Sequence, residues 1–239
     1  MPMNNATRLA RHVQAIALVG LPLIWLLMFA LHFRSVSDVF VYHDHYVPVP
    51  AATTVTGLIE ARNRWPMLHD PHQLGYLSLP LVVLMAFGLR AAAAGTRPIL
   101  AQLGVAITVT GTIYLGGVFG LFTALMRGLG DVDAQHAVGA AAVFAAVTAD
   151  HGAYGLTRGL AQLSMCGLMV QAASLWRVPH IPPWSPIALF IGAALFLRYW
   201  DVDNMMLLAA LCLLVAFIPV ARELWRAAGG ASPQGPATS

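Results

Sequence analysis

The sequence predicts an all-α fold, a polytopic transmembrane helix bundle, and three observations carry that prediction. The 239 residues are 59% hydrophobic and only 10% charged, whereas soluble domains carry about 25% charged residues. A globule of this composition lacks the polar surface to stay dissolved. Apolar runs recur at about 13–33, 72–92, 98–126, 154–176, 185–200 and 204–224, and about 20 residues of helix cross the hydrocarbon core of a bilayer. Turn and helix-start residues separate these runs. The expected organisation is one six-span domain over 1–226 and a tail over 227–239 whose Gly, Pro and Ser content predicts disorder.

Each element has its own signal. The first run, "VQAIALVGLPLIWLLMFALHF", follows Arg8 and Arg11 and ends without a small-x-small cleavage site. It is longer than the roughly 7–15 residues of a signal-peptide core, so it reads as an uncleaved helix. The second run opens on "HDPHQ", where Asp70 as N-cap, Pro71 at the first helical position and Gln73 two residues later make a capping-box-like start. "LRAAAAGTRP" is a short hairpin, with Gly95 suited to end one helix and Pro98 to start the next.

The Ala-rich segment near 134–150 is shorter and predicts a short extra helix, lying on the outer surface or re-entrant. "VPHIPPWSP" cannot be helical through its prolines and must connect two spans. Asp201 or Asp203 can cap the last one. Gly116 with Gly120, and Gly155 with Gly159, are small-xxx-small pairs that let helices approach closely in lipid. Trp176, Trp184 and Trp200 fall where an interfacial aromatic belt is expected.

Charge sets the expected sidedness. All 13 basic residues are Arg and stand singly between apolar runs, a pattern that does not suit nucleic acid. With six spans and a cytoplasmic N-terminus, Arg8, Arg11, Arg90, Arg97, Arg177, Arg222 and Arg226 fall on the inner face, as the positive-inside rule asks. A seventh span would export Arg222 and Arg226. The expected location is therefore a bacterial inner membrane, multi-pass, with both termini cytoplasmic.

The order of features from His69 onward, "HDPHQLGYLSLPLVVLMAFGLR", then "GTRPILAQLGVAITVTGTIYLGGVFGLF", an Ala-rich segment and "PPWSPIALFIGAALF", resembles small six-helix bacterial membrane proteins of unknown function. The resemblance covers about two-thirds of the chain and rests on hydropathy together with Gly and Pro placement. It implies a fold and a compartment, and no catalytic residue.

Under this topology nine of the ten carboxylates and seven of the nine histidines lie on the outer face. Histidine with aspartate and without cysteine suits copper, zinc or iron. His43 and His45 share one face of an extended segment, and His69 and His72 flank a proline, so these four are the candidate metal ligands. The plainer reading is a polar loop, a helix cap and rings at headgroup depth; His32, which ends the first span, reads as interfacial. Arg158 lies one turn into the fourth span and needs a carboxylate or a route to the interface, with Asp150 and Asp201 as candidate partners in a structural ion pair. Cys166 and Cys212 stand alone in apolar runs, which supports no thiolate metal site.

Three functional readings follow. The first is a non-catalytic accessory or scaffold subunit, with the lipid bilayer and other membrane subunits or further copies of the chain as partners. The second is a periplasmic-face protein that binds copper, zinc or iron for handling or redox chemistry. The third is a small-solute transporter, weakened by the lack of a carboxylate deep within a span.

Overall fold

A computed structural model describes residues 4–33, 35–40, 71–132, 134–147, 152–200 and 202–229. Among these residues the chain is helical, with no strand. The helices are α1 (Asn5–Ala30), α2 (His72–Ala93), α3 (Pro98–Gly130), α4 (Ala137–Val147), α5 (Gly152–Ala161), α6 (Leu163–Leu175), α7 (Trp184–Arg198) and α8 (Asp203–Ala228). Short 3-10 turns occupy Val36–Phe40 and Ala134–His136. Among the described residues four stretches are long and apolar enough to cross a membrane: α1, α2, Pro98–Leu125 of α3, and α8.

The helix ends follow local chemistry. Helix α1 begins eight residues before its apolar run, because the Asn4 side chain accepts the Thr7 backbone N–H at 2.8 Å and caps a polar first turn. Pro98 opens α3, where its missing N–H costs nothing. Gly152, at φ 77°, holds the left-handed backbone from which α5 starts. Helices α5 and α6 are nearly continuous. At Gln162 the ladder tightens, its N–H reaching Gly159 O at 3.3 Å while its own carbonyl accepts from Met165 and Cys166. Arg177 turns to φ 69° as the chain leaves α6 for the Pro-rich connection.

The helices close into a ring in which α1 packs on α2, α2 on α3, α3 on α6, α6 on α7, α7 on α8, and α8 back on α1. Helix α2 also reaches α6 and α8. The His12 and Trp225 rings meet at 4.6 Å, so the start of α1 and the end of α8 share one end of the bundle. Arg97, in the α2–α3 turn, donates to Ala173 O at 3.1 Å and brings the end of α6 to that same side. We call this the termini end. The opposite end holds the close of α1 and the opening of α2, and we call it the histidine end.

Leu18, Leu21, Met28, Met85, Leu89, Leu168, Leu189, Leu213 and Phe217 fill the interior. A smaller cluster of Leu115, Val118, Ala161 and Trp200 joins α3 to α5. Trp200 is thus packed inside, whereas Trp176 and Trp184 are exposed. Large apolar side chains also cover the outside: Leu77, Ile113 and Leu156 are 70%, 70% and 66% exposed. Such a surface suits hydrocarbon better than water.

The closest helix contact is not at either glycine pair that the sequence suggests. It runs along α3 and α6, where a Cβ on Gly111 would lie 2.6 Å from the Leu163 carbonyl carbon and 2.7 Å from Ser164 Cα. A Cβ on Gly167 would lie 2.8 Å from Gly104 O. Gly116 and Gly120 instead face Leu79 and Tyr76 of α2, and a Cβ on Gly159 would meet nothing within 4 Å.

Candidate functional site

The chemistry-bearing side chains that converge are at the histidine end. His32 lies just past the end of α1, and His72 is the first residue of α2. Sequential antiparallel helices bring these two ends together whatever the loop between them does. The rings stand 5.0 Å apart between centroids and nearly perpendicular, at 84°. His32 Nδ1 is 2.9 Å from Met28 O. A carbonyl only accepts, so in this bond Nδ1 carries the hydrogen and the ring orientation is fixed.

Aromatic rings extend the pair across four helices. His72 meets Phe122 at 4.6 Å and Phe119 at 6.3 Å, Phe122 meets Phe144 of α4 at 5.8 Å, and Phe29 lies 6.4 Å from His32. One turn inward, Gly75 makes room for Met28 and Phe119: a Cβ there would lie 2.9 Å from Met28 Sδ and 2.9 Å from Phe119 Cζ. One further turn inward, Trp25 Nε1 donates to Ser78 Oγ at 2.9 Å, and Ser78 Oγ donates to Gly75 O at 2.7 Å. The α1–α2 register is therefore held by a hydrogen bond and close packing directly beneath the imidazoles.

A second polar group lies deep in the ring. Gln171 Nε2 donates to Ala86 O at 3.0 Å and ties α6 to α2, and Ser185 Oγ donates to Ala216 O at 2.7 Å and ties α7 to α8. Thr108 Oγ1 and Gln171 Oε1 are buried without a hydrogen-bond partner. The buried polar side chains among the described residues are Ser78, Thr108, Thr112, Ser164, Gln171, Ser174 and Ser185, all uncharged. These residues can join helices; they offer no acid, base or nucleophile matched to a partner.

The predicted site residues fare unequally. Of the four candidate metal ligands, His72 is placed, and His43, His45 and His69 lie outside the described residues. Arg158 is half-buried in α5, while Asp150 and Asp201 lie outside. In the predicted cap, Asp70 lies outside; Pro71 occupies the N-cap position of α2 with helical torsions, and Gln73 follows in the first turn. Among the described residues no three His, Cys, Asp or Glu side chains are grouped as a metal centre.

The partner of His72 that sequence reading missed is His32. Its signal was available in the chain order, since His32 ends one long helix and His72 begins the next. No protein-family model, curated protein or solved structure matches the chain.

Proposed function

We propose that the chain is a six-span integral protein of a bacterial inner membrane, with both termini cytoplasmic, acting as a non-catalytic accessory or scaffold subunit. The carrying observation is the bundle interior, which among the described residues buries hydroxyls and one amide but no ionisable group. Six crossings are supported by helix direction. Residues 152–175 together measure about 36 Å at the usual helical rise, enough to join the four long apolar helices as a fifth span, and the 15-residue α7 completes the ring. The termini end gathers Arg8, Arg11, Arg90, Arg97, Arg177, Arg222 and Arg226, which favours the cytoplasmic side for it. The resemblance to small six-helix bacterial membrane proteins belongs to the same proposal.

Association with other helices is favoured by the outward Gly159 beside the exposed Leu156 on α5. Native mass spectrometry of the protein released from lipid nanodiscs tests the subunit reading. The expected spectrum shows a complex with other membrane chains or with further copies of this one. A monomer alone, with no co-purifying chain, overturns it.

A second reading, metal binding at the outer face, is favoured by one observation: His72, a predicted ligand, stands in ring contact with a second imidazole.

A further inference from the structure

We propose that the α1–α8 edge at the termini end docks the headgroups of anionic phospholipids, through Arg8, Arg222 and Arg226 around the His12–Trp225 ring contact. The inference rests on the membrane reading just given and adds a partner to it, one class of lipid at one edge of the bundle.

Seven arginines gather at the termini end, and Glu223 is the single carboxylate there among the described residues. Glu223 stands two residues from Trp225, so it projects from a different flank of α8. Arg222 and Arg226 are exposed, and Arg8 is half-buried. The Arg8 Nε is enclosed by protein and has no hydrogen-bond partner. Enclosing part of a charged group costs free energy unless an opposite charge compensates it. A phosphate at the membrane surface is the anion that a guanidinium fork fits best.

The His12 and Trp225 rings, 4.6 Å apart, fix where α1 and α8 meet at this end. Arg8 lies one turn before His12, and Arg222 lies about one turn before Trp225. Residues three or four apart on a helix have Cβ atoms about 5–6 Å apart, so both arginines start close to the ring contact. A lipid surface requires no single point of convergence, because each long side chain reaches the headgroup layer by itself.

Two rows descend into the membrane in the same order. On α1, Arg8 and His12 give way to exposed Ile16; on α8, Arg226 and Arg222 give way to exposed Ile218. Each row advances in steps of four residues and keeps to one helix face. The isoleucines lie about 12 Å deeper than the outermost arginines at the usual helical rise. A phospholipid has this profile, charged at the surface and apolar beneath. Trp225, 52% exposed, stands where the rows meet, at the boundary that suits an amphipathic ring. An acidic protein would match the arginines and leave the isoleucines unexplained. A zwitterionic headgroup brings an ammonium that the arginines repel, whereas each arginine strengthens association with an anionic surface about fivefold.

The test reconstitutes the full-length protein in nanodiscs of equal phosphatidylglycerol and phosphatidylcholine, releases it for native mass spectrometry and counts the lipids that stay bound. Far-ultraviolet circular dichroism confirms that each variant is folded. The wild type should retain phosphatidylglycerol over phosphatidylcholine by at least about tenfold. Arg8→Gln, Arg222→Gln and Arg226→Gln combined should reduce that preference to about twofold or less. Arg127→Gln with Arg198→Gln, both exposed at the histidine end, should leave it unchanged. Equal retention of the two lipids by the folded wild type overturns the inference, and so does an equal loss of preference in the two sets of variants. An acidic protein chain that the triple variant releases, with no lipid preference in the wild type, overturns it in favour of a protein interface. Failure to enter the nanodisc at all overturns the membrane reading and this inference with it, which separates the two.

Discussion

Along the α3–α6 seam two helices meet through side chains that are missing, while at the histidine end four helices meet through rings that are present. Gly104, Gly111 and Gly167 bring backbone against backbone, and the polar atoms there are hydroxyls and an amide. At the other site the His32–His72, His72–Phe122 and Phe122–Phe144 rings meet edge to face, Phe29 and Phe119 lie tilted against the histidines, and a methionine sulfur sits beneath. The contrast separates two uses of polarity in an apolar bundle. Small residues give close dispersion contact, which is the main attraction between helices in lipid. Imidazoles at a bundle end combine ring packing with a hydrogen bond to the helix end, as His32 Nδ1 makes to Met28 O.

The seam is where substitution should do most damage. In Gly111→Ala the new methyl would overlap the Leu163 and Ser164 backbone, which moves only if α6 moves. A cost of about 2–4 kcal/mol is expected, measured by equilibrium unfolding in mixed detergent micelles. A cost below about 0.5 kcal/mol would show that the two helices are not held at this distance and would erase the contrast with the histidine end.

Much of the helix pattern was legible because it depends on residues acting locally. Pro98 starts α3 and Pro-rich 178–186 separates α6 from α7, as their backbone chemistry dictates. The cap at Asn4 was missed because it precedes the apolar run and belongs to a polar turn extending beyond it. Gly104 and Gly111 were missed for a different reason: seven residues apart, with Thr108 between, they form a face only once a partner helix is known. Of the glycines that spacing did suggest, Gly116 and Gly120 face α2 and Gly159 points outward. His72 was legible as polar punctuation, but its contact with His32 is set by chain direction across a connection of nearly forty residues.

A smaller effect is expected beneath the histidines. Ser78→Ala leaves the Trp25 indole N–H buried without its acceptor. The cost should be about 1–2 kcal/mol, toward the lower figure because hydrogen bonds between helices in membranes are modest. Adding Trp25→Phe removes the orphaned donor, so the double variant should cost less than the two single variants together. Strict additivity in the same unfolding assay would show that this bond does not fix the α1–α2 register, and the rings above it would lose their support.

The smallest change returns to the seam and has the opposite sign. Thr108 is fully buried, and its hydroxyl oxygen has no hydrogen-bond partner although Thr112 donates to its backbone carbonyl at 2.7 Å. Thr108→Val keeps the branched shape that packs against Gly167 and removes the unpaired hydroxyl. Since a buried unsatisfied polar group costs about 1–3 kcal/mol, the variant should be neutral or more stable by up to about 1 kcal/mol. Destabilisation instead would mean that Thr108 Oγ1 has a partner in the membrane, such as a bound water shared with Gln171 Oε1, which is also buried and unpaired. That result would narrow the contrast between the two regions, because the seam would then hold a polar site of its own.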